Sequence, residues 1–85
     1  MREISRFLGI TIGIFPRHHR PAHFHAVYGE HQVTVDIEGG TVHGDFPRRA
    51  RSLVLEWPDL HKEELLKDWN LVQNGRTPEK IAPLE

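Results

Sequence analysis

Two glycine-led pairs, Gly29-Glu30 and Gly39-Gly40, divide residues 22–46 into three short runs with almost no chain between them. A two-residue connection can only join antiparallel neighbours, because parallel strands need a crossover of about a dozen residues or more. Gly29-Glu30 fits a type II′ turn, which takes glycine at its first central position. Strands are therefore predicted over 22–28, 31–38 and 41–46. Residues 7–15 read as a further strand, in which Ile10, Ile12 and Ile14 face one way and Gly9, Thr11 and Gly13 the other. PRHHRP, residues 16–21, is a proline-bounded loop.

The second half has a different period. Pro47 suits a first helical turn, where its missing N–H costs nothing. Ala50, Leu53, Val54 and Trp57 recur at the spacing of one helix face. Pro58 is expected to break or kink that helix. A second amphipathic segment, from about Asp59 to Asn74, would bury Leu65, Leu66, Trp69 and Val72. Gly75 is a candidate C′ cap, Pro78 opposes a restart, and Ile81 and Leu84 are free to dock. The predicted fold is α+β, in the order ββββαα: a four-stranded antiparallel meander followed by two helical segments packed on one face. Eighty-five residues hold one core, so 1–85 is read as a single domain. With no cysteine, neither a disulfide framework nor a thiolate metal site is open to the chain. The opening residues lack a signal-peptide cleavage pattern, and no apolar run approaches a membrane span of about 18 residues. A soluble cytoplasmic protein is expected.

Residues 18–45 hold six of the seven histidines. The turns predict where they point. If Gly29-Glu30 is a two-residue turn, Phe24 opposes Val35, Ala26 opposes Val33 and Tyr28 opposes His31. The apolar pairs share a face, so the register is self-consistent. On the other face, His23 opposes Asp36 and His25 opposes Thr34. The same treatment of Gly39-Gly40 sets Ile37 against Val42, Asp36 against His43 and Thr34 against Asp45. Two polar rows then cross three strands, His23–Asp36–His43 and His25–Thr34–Asp45. A solvated sheet face explains polar residues in general. This face, however, gathers three histidines and two aspartates with no lysine, where an ordinary wet face mixes in long charged side chains.

Three chemistries fit such a cluster. His23 or His25, oriented by Asp36, could act as a general base on RNA, because imidazole titrates near neutrality. Arg17, Arg20, Arg48 and Arg49 would then hold phosphate. Alternatively, His23, His25, Asp36 and His43 are candidate ligands for a divalent metal such as zinc, since His-x-His on a strand sends two imidazoles to one side. That reading needs further ligands from His18, His19 or His61. The third is a pH-responsive contact surface. Apart from these chemistries, the sheet face or its edge could serve simply for homodimerisation. His61 borders the apolar stripe of the second helix and reads as a half-buried structural histidine. Arg48, Arg49 and Arg51 occupy a first helical turn, where positive charge opposes the dipole, which hints at an acidic partner or a phosphate.

HHRPAHFHAVYGE resembles the P-P-H-F-H-x-x-Y-G-E signature of domain-of-unknown-function family 4160, a family of small prokaryotic proteins. LVLEW, then His61, Glu64-Leu65, Trp69 and the closing KIAPL are also similar to that family. Ala22 stands where the family usually has its second proline, while His23 and His25 match. Members often sit beside a second family, numbered 2442, and the pair is similar to a two-gene toxin–antitoxin module. The resemblance therefore implies a small cytoplasmic component of such a pair. It would act through a small cognate protein encoded nearby and on RNA through the His/Asp-rich face. It implies no catalytic residue. The alternative is a metal-binding His-x-His domain or a non-catalytic interaction module.

Overall fold

The computed structural model describes residues 1–85. The strands are β1 (Arg2–Phe7), β2 (Ile10–Ile14), β3 (His23–Tyr28), β4 (His31–Asp36) and β5 (Val42–His43), and the helices are α1 (Arg48–Leu60) and α2 (Lys62–Gln73). The strands form one sheet in chain order, each neighbouring pair antiparallel. The α+β class and the meander are as expected, but the sheet has five strands, not four. The additional strand comes from a hairpin at the N-terminus. Leu8 and Gly9 both take positive φ, 49° and 84°, the pattern of a type I′ turn. Leucine rarely adopts this region, so only Gly9 signalled the turn. Burial of Ile4, Phe7, Ile10, Ile12 and Ile14 on the paired strands offsets the strain at Leu8.

The β3–β4 register is the predicted one, with His23 opposite Asp36, Phe24 opposite Val35 and His25 opposite Thr34. Gly29 has φ 59°, as the first position of a type II′ turn requires. The next connection is longer than two residues. The Asp36 N–H donates to the Thr41 carbonyl at 2.9 Å and the Gly40 N–H to the Asp36 carbonyl at 2.9 Å. Thr34 therefore pairs with His43 and Val35 with Val42, which replaces the expected Asp36–His43, Thr34–Asp45 and Ile37–Val42 pairs. Gly40 closes the longer loop: it takes φ 71° and its N–H bonds back to Asp36, so residues 37–40 form the turn between the Asp36–Thr41 pair. Ile37 still continues the β3–β4 ladder, its N–H bonded to the Ala22 carbonyl at 3.0 Å, and its side chain is buried. The shift is two residues, so every side chain keeps its predicted face.

Pro47 sits at the N-cap of α1, one position earlier than expected. Pro58 lies inside α1 and is buried, and the helix runs on to Leu60. The His61 N–H, bonded to the Pro58 carbonyl at 3.1 Å, marks the end of α1. α2 thus begins at Lys62, three residues later than predicted. It ends in a Schellman motif: the Arg76 N–H reaches the Leu71 carbonyl at 2.8 Å, the Gly75 N–H reaches Val72 at 3.1 Å, and Gly75 has φ 71°. The core joins Phe24, Ala26, Val33 and Val35 to Val54, Trp57, Leu65, Trp69 and Val72, with Val42 and Leu66 half-buried against it. Residues 79–82 lie along β1. The Ile81 N–H donates to Ile4 at 2.8 Å, and the Ala82 carbonyl accepts from Trp57 Nε1 at 2.9 Å. The tail so occupies an edge that would otherwise offer unpaired backbone groups. No helix is long and apolar enough to cross a membrane.

Candidate functional site

Residues two apart on a strand share a face, so β3 sends His23 and His25 to the same side. The 15–22 segment then folds over that side. Phe15 makes a T-shaped contact with His25, centroids 4.5 Å apart, and stacks on His18 at 5.3 Å. Trp69 of α2 lies against His23 at 5.0 Å. Gln73, at the end of α2, pins the segment at two points. Its Nε2 donates to the Phe15 carbonyl at 2.9 Å, and its Oε1 accepts the His18 N–H at 3.0 Å. His18 is thereby brought onto the two strand histidines, and the three ring centroids stand 5.4–5.5 Å apart. One ring nitrogen from each lies within 4.8 Å of the other two.

The three rings are not equivalent. His18 is exposed, His23 is half-buried, and His25 is 8 % exposed. His23 Nδ1 lies 2.8 Å from the Pro21 carbonyl, which can only accept, so Nδ1 carries a proton. In neutral His23 the lone pair is then on Nε2, which lies 3.2 Å from His18 Nδ1. A backbone carbonyl that fixes the proton on one imidazole nitrogen, so that the other presents its lone pair, is the usual support of a metal-ligating histidine. His25 Nδ1 is 3.2 Å from the Gln32 side-chain amide, while its Nε2 is buried without a partner. Burial, reinforced by the nearby His23 and His18 charges, lowers the His25 pKa from 6.5 to about 4. His25 is therefore a neutral imidazole at physiological pH. As placed, Gln32 Nε2 donates to Nδ1, which puts the proton of neutral His25 on its buried Nε2; the opposite amide orientation, in which the Gln32 oxygen accepts from Nδ1, would leave Nε2 as a lone pair.

The remaining expected residues lie apart from this cluster. Asp36 faces His23 in the register, yet its carboxylate takes His43 Nε2 at 3.3 Å and makes no hydrogen bond to His23. Arg17 and Arg20 are exposed on either side of His18-His19 and join no ion pair, and Arg17 holds a positive φ of 62°. Arg48 and Arg49 are exposed at the start of α1, with no acidic residue in that turn. His19 is exposed. His61 bonds Glu64 at 2.7 Å and packs on Trp57 at the α1–α2 junction. Gln32, Phe15, Trp69 and Gln73 are the contributors that the sequence reading passed over. Gln32 was within reach of it, because the β3–β4 register makes it the diagonal neighbour of His25 on the same face. Nothing in the local pattern signalled Gln73, which acts from 55 residues away.

Fold and site together define a small α+β protein with a three-histidine cluster between a sheet face and a folded-over loop. A family model described as domain of unknown function DUF4160 matches residues 9–70, and the chain belongs to that family. The matched span includes all three clustered histidines and Gln32. No match was found among curated proteins or among solved structures.

Proposed function

We propose that the protein is a small metal-binding domain that takes one divalent transition ion of the zinc class on His18, His23 and His25. The convergence of three ring nitrogens within 4.8 Å carries this reading. Nitrogens bound to a tetrahedral zinc, each about 2.0–2.1 Å from the ion, stand about 3.3 Å from one another. His18 Nδ1 and His23 Nε2, which share a hydrogen bond at 3.2 Å, stand close to that separation. The buried, unpartnered Nε2 of His25 supports the same reading, since an orphan polar atom in a folded protein calls for an explanation. Its low pKa keeps the ring neutral, so metal binding has no imidazolium proton to displace there. Three protein ligands leave a fourth position to water or substrate. The protein freed of metal with a chelator is expected to take up one equivalent of Zn²⁺ or Ni²⁺ in a calorimetric titration. Thermal stability should rise with loading, as binding to the native state requires. Absence of saturable uptake near neutral pH overturns the proposal.

A second reading adds a role for Arg17 and Arg20, exposed and unpaired beside His18. Cations next to an imidazole cluster suit a phosphodiester, so the domain would act on RNA within a toxin–antitoxin pair, restrained by a small protein encoded nearby. Its test is expression of the chain in bacteria with and without the neighbouring gene. Growth arrest relieved by the neighbour supports this reading, and unaffected growth in both removes it.

A further inference from the structure

The outer surface of α1 sorts its charges along the helix axis. Arg48, Arg49 and Arg51 fill its first turn, and Glu56 and Asp59 follow toward its far end. All five are exposed and none joins an ion pair within the chain. The arginines also oppose the dipole, so nothing local accounts for them. Arg48, Ser52, Glu56 and Leu60 recur every four residues and so form one solvent-facing strip that winds about 40° around the helix at each step.

Each end of the strip also carries an apolar feature. Beside the arginines, the β1–β2 hairpin tip and α1 bound a groove of about 180 Å³ lined by Leu8, Tyr28, Arg49, Ala50 and Leu53. Pockets for cofactors or small ligands run from about 300 Å³ upward, so this groove suits a single side chain. Beside the acids, Leu60 is 65 % exposed, more than any other large hydrophobic residue of the chain. One end is a groove with a basic rim, and the other is an apolar knob on acidic ground.

We infer that this strip is a docking surface for a second copy of the same chain. The two α1 helices pack antiparallel, Leu60 of each copy enters the groove of the other, and the arginine end of each helix meets the acidic end of its partner. An antiparallel two-fold axis at the level of residues 54 and 55 sets Leu60 of each copy against the Arg49–Ala50 wall of the other's groove and brings Glu56 and Asp59 within a helical turn of its arginines, which closes the assembly as a dimer. Charge complementarity within the chain itself selects this occupant over an unrelated partner.

Sedimentation equilibrium of the full chain tests the inference. A chelator is kept in the buffer, so that copies bridged by metal are excluded and the outcome is independent of the histidine cluster. The wild type is expected to dimerise in low salt and to weaken at least tenfold in 0.5 M salt, where the Debye length falls to about 4 Å. Two charge-reversed variants, Arg48→Glu/Arg49→Glu and Glu56→Arg/Asp59→Arg, should each be monomeric, and an equimolar mixture should recover a heterodimer. Leu60→Ser, which removes the knob without touching charge, should weaken association at least tenfold. Circular dichroism confirms folding of each variant. A wild type that stays monomeric up to about 1 mM overturns the inference and leaves the groove to a different partner. So does a dimer indifferent to these substitutions, or a mixture that fails to associate.

Discussion

His25 and His43 occupy the same face of the same sheet, yet they belong to different kinds of surface. His25 is nearly buried, walled by Phe15, bonded to Gln32 and left with one orphan nitrogen. The His43 side chain is 58 % exposed and makes one long contact to Asp36. Both came from the same histidine-rich stretch, and both face the same way. The difference is made by the 15–22 segment, which covers one end of the face and leaves the other to water. A run of histidines is therefore a poor unit of function. The useful unit is the subset that chain folding removes from solvent and holds at fixed separation.

Substitutions can break this comparison in order of effect. The largest is expected in metal affinity. His23→Ala should weaken Zn²⁺ binding by at least about 100-fold, while His43→Ala and Asp36→Asn should change it less than twofold, read by competition with a chromogenic chelator. Equal losses from all three would merge the two groups into one site. Next is the acid limb of stability of the metal-free protein. The His25 pKa is about 4 when folded, against an ordinary 6.5. Between these values the unfolded chain binds more protons, so the contribution is complete above pH 6.5 and lost as pH falls toward 4. After allowance for solvent screening the loss is on the order of 2 kcal/mol. Urea titrations at pH 7 and pH 4 should show this drop in the wild type and a reduced one in His25→Gln, and an unchanged drop would deny the burial of that ring.

A smaller effect is expected from Gln73→Ala, which releases both pins on the 15–18 segment. It should cost about 1–2 kcal/mol in stability and about tenfold in metal affinity, because only His18 is set free while His23 and His25 stay on β3. A variant that binds metal as the wild type does would mean that Phe15 alone holds the loop. The smallest effect belongs to the exposed pair: Asp36→Asn and His43→Ala should each stay within about 0.5 kcal/mol in chemical denaturation.

The register of β3 on β4 was legible because one turn and one alternating apolar pattern gave the same answer. The four-against-five strand error has a local cause: Leu8 is a poor turn residue, and its hairpin is enforced by the apolar residues flanking it. The β4–β5 shift was hidden for the opposite reason, since Gly39-Gly40 is a good signal for a two-residue turn, whereas Gly40 closes a four-residue one by bonding back to Asp36. At the site, His23 and His25 followed from the strand period. Their expected partner Asp36 was in register, but proximity in a ladder does not choose between two neighbouring imidazoles. His18 was among the further ligands considered. Its selection over His19 and His61 depends on the Gln73 contacts, which join distant parts of the chain and leave no periodic trace.

The bond from Ile81 to Ile4 joins residues near opposite ends of the chain, and it imposes an order in time. During synthesis β1 emerges well before the segment that shields its outer edge. The sheet can pair within itself long before its first strand is sealed. For that interval on the ribosome β1 is a bare edge able to recruit a strand from another molecule, a hazard common to incompletely folded chains. Slowing elongation between α2 and Ile81 would lengthen that interval and raise the aggregated fraction without altering any residue of the finished protein.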